Sequence, residues 1–370
     1  MKHFVFVSGK RGGLGAMRST LGHLENYAKV TIIATDQHLD ATYGTTVQEV
    51  EIYFENVVPL PLHQDSDSPL GRLSAMSILL QQLTYELNRL DPDFLLVYGD
   101  RSESLVAAYA ALHLSIPIVH FQGGDTSGNI DDKMRHAISH LSDHHLCSTT
   151  RSYMKLASLG INSETIHAIG DSHIDPIFES DYTLVDEVAS KYGVDRDDSL
   201  AIFIMHPESD NNQFLGRIVT TSLNILLNSY RKVIGVYPCS DIGSSIVIDA
   251  LNAVSRDSDG RLILKKNIVY QDFTLLFRKA NLICGNSSAG IIEANYHSTY
   301  TLNLGSRQSG REAPATVFHV PTHDLEIFKA KMVKYICKIL HLPASFKPAS
   351  IYGDGPTYIK AVDYLMPLLN

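Results

Sequence analysis

Residues 71–101, GRLSAMSILLQQLTYELNRLDPDFLLVYGDR, hold one helix, one break and one strand in 31 positions. From Gly71 to Leu90 the apolar residues recur at helical spacing, and the pattern halts before Asp91-Pro92, where proline disfavours a continuing helix. A fully apolar strand, Phe94 to Val97, follows at once and ends in Gly99-Asp100-Arg101. A helix delivered directly into a short buried strand is half of a βαβ unit. The same rhythm continues in both directions: HFVFVSG (3–9), KVTIIAT (29–35), IPIVHFQ (116–122), HHLCST (144–149) and TIHAIG (165–170). Such runs predict a parallel sheet with helices on both faces.

Between Asp175 and Ser199 the apolar strands give way to YTLVDEVASKYGVDRDDS, after which SLAIFIMH (199–206) restarts the alternation. KVIGVYP, RLILKKN, NLICGN and YTLNLG then supply strands separated by enough residues for crossover helices. The expected organisation is α/β, with two Rossmann-like doubly wound domains, residues 1–175 and 176–355. The amphipathic tail, 356–370, is expected to return to the first domain. A chain of 370 residues exceeds what one core organises.

A composition of 44% hydrophobic and 19% charged residues is that of a globular protein, and a net charge of -9 without a dense Lys/Arg run excludes a surface that tracks nucleic acid. No segment approaches ~20 uninterrupted apolar residues, and the start lacks a signal-peptide core, so no membrane partner and a cytoplasmic location are expected. Cys147, Cys239, Cys284 and Cys337 are far apart, which argues against a zinc knuckle or a disulfide framework. Each reads as a small buried hydrophobe.

The ends of the strands carry the chemistry, because open α/β sheets bind ligands at their carboxyl edge. Ser8-Gly9-Lys10-Arg11-Gly12-Gly13-Leu14-Gly15 follows the first strand and reads either as a tight turn or as a phosphate cradle clamped by Arg11; it has neither P-loop nor GxGxxG spacing. Asp100 ends one strand. The next ends in His120, Gln122, Gly123, Gly124 and Asp125, followed by a loop carrying Asp131, Asp132 and Arg135. Acids and amides around one crevice suit general acid–base chemistry on a sugar. Asp143-His144-His145 reads as a helix end and strand start, and His136/His140 as a solvated helix face, so no metal site is expected. In the second half, Gly285 to Glu293 (GNSSAGIIE) offers N–H and O–H donors to a diphosphate from Ser287, Ser288 and Gly290, with Glu293 one turn on. His206 and Arg307 add donors at the same edge.

Together, YGDRSE (98–103), HFQGGDTSGNIDDKMRHAISHLS (120–142), GNSSAGIIEA (285–294) and LGSRQSGR (304–311) resemble the bacterial hydrolysing UDP-N-acetylglucosamine 2-epimerases of sialic and legionaminic acid pathways. The resemblance covers most of the chain. It implies a GT-B-like fold with an interdomain cleft, a UDP-sugar partner, no cofactor and a homodimer or homotetramer. It also implies that acids from the first domain meet a nucleotide held by the second. The implied reaction removes the C2 proton while UDP departs, then hydrates the glycal at C1. By resemblance Asp100 and Asp131 are catalytic acids; Arg11, Arg135 and His206 contact the diphosphate or sugar, and Ser287, Ser288, Gly290 and Glu293 hold UDP.

The sequence departs from the family pattern twice. Gln122 stands where the family's HIEGG motif has its glutamate, and Gly12-Gly13 replace an acid of the first loop. An amide exchanges no proton at neutral pH, so Asp125 becomes the candidate substitute, and Gln122→Glu is expected to raise turnover if the amide is a handicap. The alternatives are a GT-B transferase or plain sugar-nucleotide hydrolase, and a catalytically inactive nucleotide-sugar binder.

Overall fold

The structure, a computed structural model, describes residues 1–62, 68–128, 130–208, 214–239 and 241–369. It divides into two compact units: residues 1–178 together with 352–370, and residues 179–351.

In the first unit, seven parallel strands run β1 (His3–Ser8), β2 (Lys29–Thr35), β3 (Val57–Leu60), β4 (Phe94–Tyr98), β5 (Ile118–Phe121), β6 (His144–Cys147) and β7 (Ile166–Ala168), in the order β3-β2-β1-β4-β5-β6-β7. The reversal of strand order falls between β1 and β4, so their carboxyl ends flank the crevice. β1 is buried throughout because its alternating side chains serve two cores. Phe4 and Phe6 pack with Met17, Leu21 and Leu24, while Val5 and Val7 pack with Leu79, Leu83 and Ala107.

The helix Pro69–Leu90 shows how the sequence sets an element's ends. The Ser68 hydroxyl accepts from the Gly71 N–H at 3.1 Å, and proline occupies the first turn. Asp91 then closes the helix in the left-handed region, at φ 43°. Ala75, Leu79, Leu83 and Leu87, four residues apart, form its buried stripe.

The second unit holds six parallel strands: β8 (Leu200–Ile204), β9 (Lys232–Val236), β10 (Leu262–Lys265), β11 (Leu282–Gly285), β12 (Tyr300–Leu304) and β13 (Val317–Val320). Their order is β10-β9-β8-β11-β12-β13, with the reversal between β8 and β11. The expected pair of doubly wound parallel sheets is therefore observed.

The C-terminal helix, Thr357–Leu365, packs in the first unit, where Ala361, Val362 and Leu365 join the core of Phe4 and Phe6. It is anchored at its start by Asp175, whose carboxylate accepts from the Thr357 N–H and, at 3.0 Å, from its hydroxyl.

Three expectations are corrected. Of the two readings of residues 8–15 only the tight turn is corrected, since Gly12 and Gly13 lie in the first turn of the helix Arg11–Leu24. Asp131, Asp132 and Arg135 lie on the helix Ile130–Leu141 and not in a loop; the Asp132 carboxylate accepts from the N–H groups of Ser127 and Gly128, at 2.6 and 2.8 Å, and ties the incoming chain to that helix. Cys147 and Cys284 are buried, but Cys239 is half-buried and Cys337 exposed, because Phe328, Met332, Ile336 and Ile339 form the buried stripe of its helix.

Candidate functional site

At the carboxyl edge of the first sheet, Asp100, Gln122 and Arg135 come together. Gly99, at φ 73°, turns the chain out of β4, and its N–H donates to the Phe121 carbonyl at 3.0 Å. Gln122 also lies in the left-handed region, at φ 61°, a costly conformation for a residue with a side chain. Arg135 is fully buried. Its guanidinium ion-pairs with the Asp100 carboxylate and donates to the Gln122 carbonyl at 2.9 Å and to Gln122 Oε1 at 3.2 Å. A buried guanidinium is tolerated where such partners compensate its desolvation.

The amide end of Gln122 reaches Asp171 Oδ2 at 2.7 Å, and Asp171 also accepts from the Ser148 hydroxyl at 2.9 Å and the His173 N–H at 3.0 Å. The Tyr98 hydroxyl lies 3.2 Å from Asp171 and 2.8 Å from His173 Nδ1. Burial pushes the Asp171 carboxyl up, but its pairing with His173 and the donors from His173 and Gln122 outweigh this and hold it well below the usual carboxylate range. His120 lies beneath this network. Burial drives its pKa down to about 3; Nε2 faces the Gly99 carbonyl at 2.8 Å, so the neutral ring carries its proton there.

Of the other acids named from sequence, Asp125 is buried and accepts from the Ser152 hydroxyl at 2.6 Å, which ties it to the helix Thr150–Ser158. Asp131 is half-buried on the first turn of its helix. Arg11 is the first residue of the helix following β1, close enough to His38 to depress that ring's pKa, second only to burial; together they take it to about 4.

Asp36, which follows β2, belongs to a charged cluster that sequence reasoning missed. Arg72 pairs with Asp36 at 3.0 Å and with Glu103, and Arg101 approaches Glu103 at 3.3 Å. Burial and then Glu103 raise the Asp36 pKa, whereas Arg101 and Arg72 outweigh burial and hold Glu103 ionised. A Cβ at residue 9 would lie 2.8 Å from the Glu103 side chain, so Gly9 makes room for this cluster.

In the second unit, Asn286 joins the ends of β8 and β11. Its Oδ1 accepts from the His206 N–H at 2.7 Å and its Nδ2 donates to the His206 carbonyl at 2.9 Å. The two strands meet so closely that a Cβ on Gly285 would lie 1.8 Å from the Ile204 carbonyl oxygen. His206 Nδ1 accepts from the Cys239 N–H at 3.2 Å, so the ring's proton resides on Nε2. Arg307 donates to the Asn286 carbonyl through Nη1 at 3.5 Å. Glu208, also missed, accepts from the N–H groups of Ser306 and Arg307 and from Asn286 Nδ2.

Ser287 caps the short helix Ser288–Ile292, beside a half-buried Ser288. Gly290 has a packing reason of its own, since a Cβ there would lie 2.9 Å from the Thr301 methyl. Glu293 is buried at the end of that helix.

Asp171 was detectable. It follows Gly170 after a short strand just as Asp100 follows Gly99, and the same strand-end logic covers both. Glu208 had no such signal, because its partners lie 78 to 99 residues onward.

Two doubly wound parallel sheets, each carrying a polar network at the carboxyl ends of its strands, define an α/β protein of two Rossmann-like units. The UDP-N-acetylglucosamine 2-epimerase family model matches residues 23–366, and the chain belongs to that family of enzymes. It is 30% identical to the UDP-N,N'-diacetylbacillosamine 2-epimerase (hydrolyzing) of Legionella pneumophila over 362 residues, covering 96% of this chain and 93% of the relative. It is 28% identical to the UDP-N-acetylglucosamine 2-epimerase of Neisseria meningitidis, covering 96% and 92%. In fold it is similar to the Methanocaldococcus jannaschii UDP-GlcNAc 2-epimerase solved in complex with UDP-GlcNAc and UDP, with a TM-score of 0.81 and 19% identity, covering 99% of this chain and 100% of the other. No helix among the described residues is long and apolar enough to cross a membrane.

Proposed function

We propose that this enzyme is a hydrolysing 2-epimerase that converts a UDP-linked 2-acetamido sugar, either UDP-GlcNAc or a deoxy or diacetamido relative, into UDP and the free C2-epimeric sugar. In this reading a carboxylate of the first unit takes the proton from C2. The C1–O bond to the diphosphate breaks, its electron pair leaves with UDP, and a C1=C2 double bond forms. Water then adds its hydroxyl to C1, while C2 regains a proton on its other face. No cofactor enters this balance.

The observation that carries the reading is the Asp100–Arg135 ion pair, an acid held at the sheet's carboxyl edge by a fully buried guanidinium. Asp100 is the proposed proton-transfer group, with Asp125 and Asp131 as further acids, while Gln122 is a polar partner and Arg11 and Arg135 supply positive charge. In the second unit, His206 and Arg307 are assigned to the diphosphate, and Ser287, Ser288, Gly290 and Glu293 to UDP. The hydrolysing relative from Legionella supports the choice of reaction.

The deciding experiment incubates the protein with a panel of UDP-2-acetamido sugars in deuterated water and follows the products by NMR. Epimerisation places deuterium at C2 of the released sugar. Release of UDP with hydrogen retained at C2 would instead indicate plain hydrolysis, and absence of UDP release would indicate a binding protein.

A further inference from the structure

The side-chain amide of Gln122 lies between an acid and a cation. Its Nε2 donates to Asp171 Oδ2 at 2.7 Å, and its Oε1 accepts from Arg135 Nη1 at 3.2 Å. Only one orientation satisfies both neighbours, because the flipped amide would set its oxygen against the carboxylate and its N–H groups against the guanidinium. Asp171 and Gln122 are almost wholly buried, at 1% and 6% exposure, so neither contact is exchangeable for water.

Asp171 is itself held firmly. Ser148 and His173 supply further hydrogen bonds, and Tyr98 adds its hydroxyl. The result is one run of contacts across the ends of β4, β5, β6 and β7: Asp171 orients the Gln122 amide, the amide orients Arg135, and Arg135 pairs with Asp100. A glutamate at 122 would satisfy Arg135 but set a second carboxylate against Asp171, and like charges this close in a buried site cannot both ionise. Gln122 and Asp171 are therefore matched, contrary to the expectation that a glutamate at 122 improves the enzyme.

We propose that Asp171 is a positioning residue for the reaction, acting through Gln122 and Arg135 on Asp100. This rests on the 2-epimerase reading above.

The test compares the intact chain with Q122E, D171N and the double exchange Q122E/D171N, which restores an acid–amide pair with its polarity reversed. Steady-state kinetics on the UDP-sugar that the wild type turns over is paired with thermal unfolding of all four proteins. Each single change is expected to lower kcat by roughly tenfold or more with little effect on KM, and the double exchange to recover to within about threefold of wild type. The inference is overturned if Q122E raises kcat, if D171N leaves kcat within about twofold of wild type, if the singles lose only thermal stability, or if the double exchange is no better than the worse single. Should the wild type turn over no UDP-sugar, the 2-epimerase reading fails instead. The unfolding cycle then judges the pair alone: recovery in the double exchange supports the matched pair, and additive losses overturn it.

Discussion

Glu208 Oε1 lies 3.0 Å from the backbone nitrogen of Arg307, and the same oxygen accepts from the Ser306 N–H at 3.1 Å. The arginine's loop is thus held by an acid that follows a different strand. Gly305 permits this closeness, since a Cβ there would lie 2.4 Å from the Glu208 carboxylate.

If that loop presents Arg307 to the diphosphate, Glu208→Ala should weaken UDP binding roughly tenfold, about 1.4 kcal/mol, by leaving the backbone N–H groups of Ser306 and Arg307 without their acceptor. Glu208→Gln, which retains an oxygen, should lose much less. Isothermal titration with UDP distinguishes the two variants; equal affinity in wild type and Glu208→Ala would show that the loop is positioned by other means.

Asp100→Asn keeps an oxygen for Arg135 but removes the exchangeable charge. Turnover should fall by about a hundredfold or more, the typical scale of one acid–base group, with KM changed little. Retention of most of the wild-type kcat would assign proton transfer to another carboxylate, Asp125 or Asp131 first.

His297 is buried with no hydrogen-bond partner at either ring nitrogen among the described residues, and it packs against Phe277 and Tyr182. A buried polar group without a partner costs on the order of 1–3 kcal/mol. His297→Leu, similar in volume and without nitrogens, should therefore raise the midpoint of urea unfolding. A lower midpoint would mean that ring packing outweighs the missing hydrogen bonds.

Burial, aided by Arg278, also drives the His297 pKa down to about 3, alongside about 3 for His120 and about 4 for His38, from an ordinary value of 6.5. Below that ordinary value the unfolded chain binds protons that the folded chain refuses. These rings therefore make stability rise with pH from their folded pKa values up to 6.5, and acid removes up to about 1.4 kcal/mol per pH unit for each ring. Urea midpoints should fall steeply from pH 6.5 to 4.5. Replacing His297 with leucine should reduce that slope by about one proton; an unchanged slope would show that the ring titrates normally in the folded state.

The sheets were legible because their central strands are fully apolar runs that have nowhere to go but between two layers of helices. Val57–Leu60 escaped notice because Pro59 and half-exposed neighbours mark an edge strand, and Val317–Val320 is likewise an edge strand, of the second sheet. Asp100, Gln122 and Arg135 could be named from strand-end logic, but their mutual contacts could not, since they depend on where a buried guanidinium points. Asp36, Glu103 and Arg72 were hidden for the same reason: an acid following a strand or opening a helix reads as a cap until the fold brings two arginines to it.

The first unit is completed only by residues 352–370, which supply Ala361, Val362 and Leu365 to its core and the Thr357 hydroxyl to Asp175. During synthesis the ribosome must therefore deliver the whole of the second sheet before the earliest strands receive their last packing layer. Nascent residues 1–178 wait with an apolar face uncovered while the later unit has every strand it needs, so order of emergence and order of completion run in opposite directions.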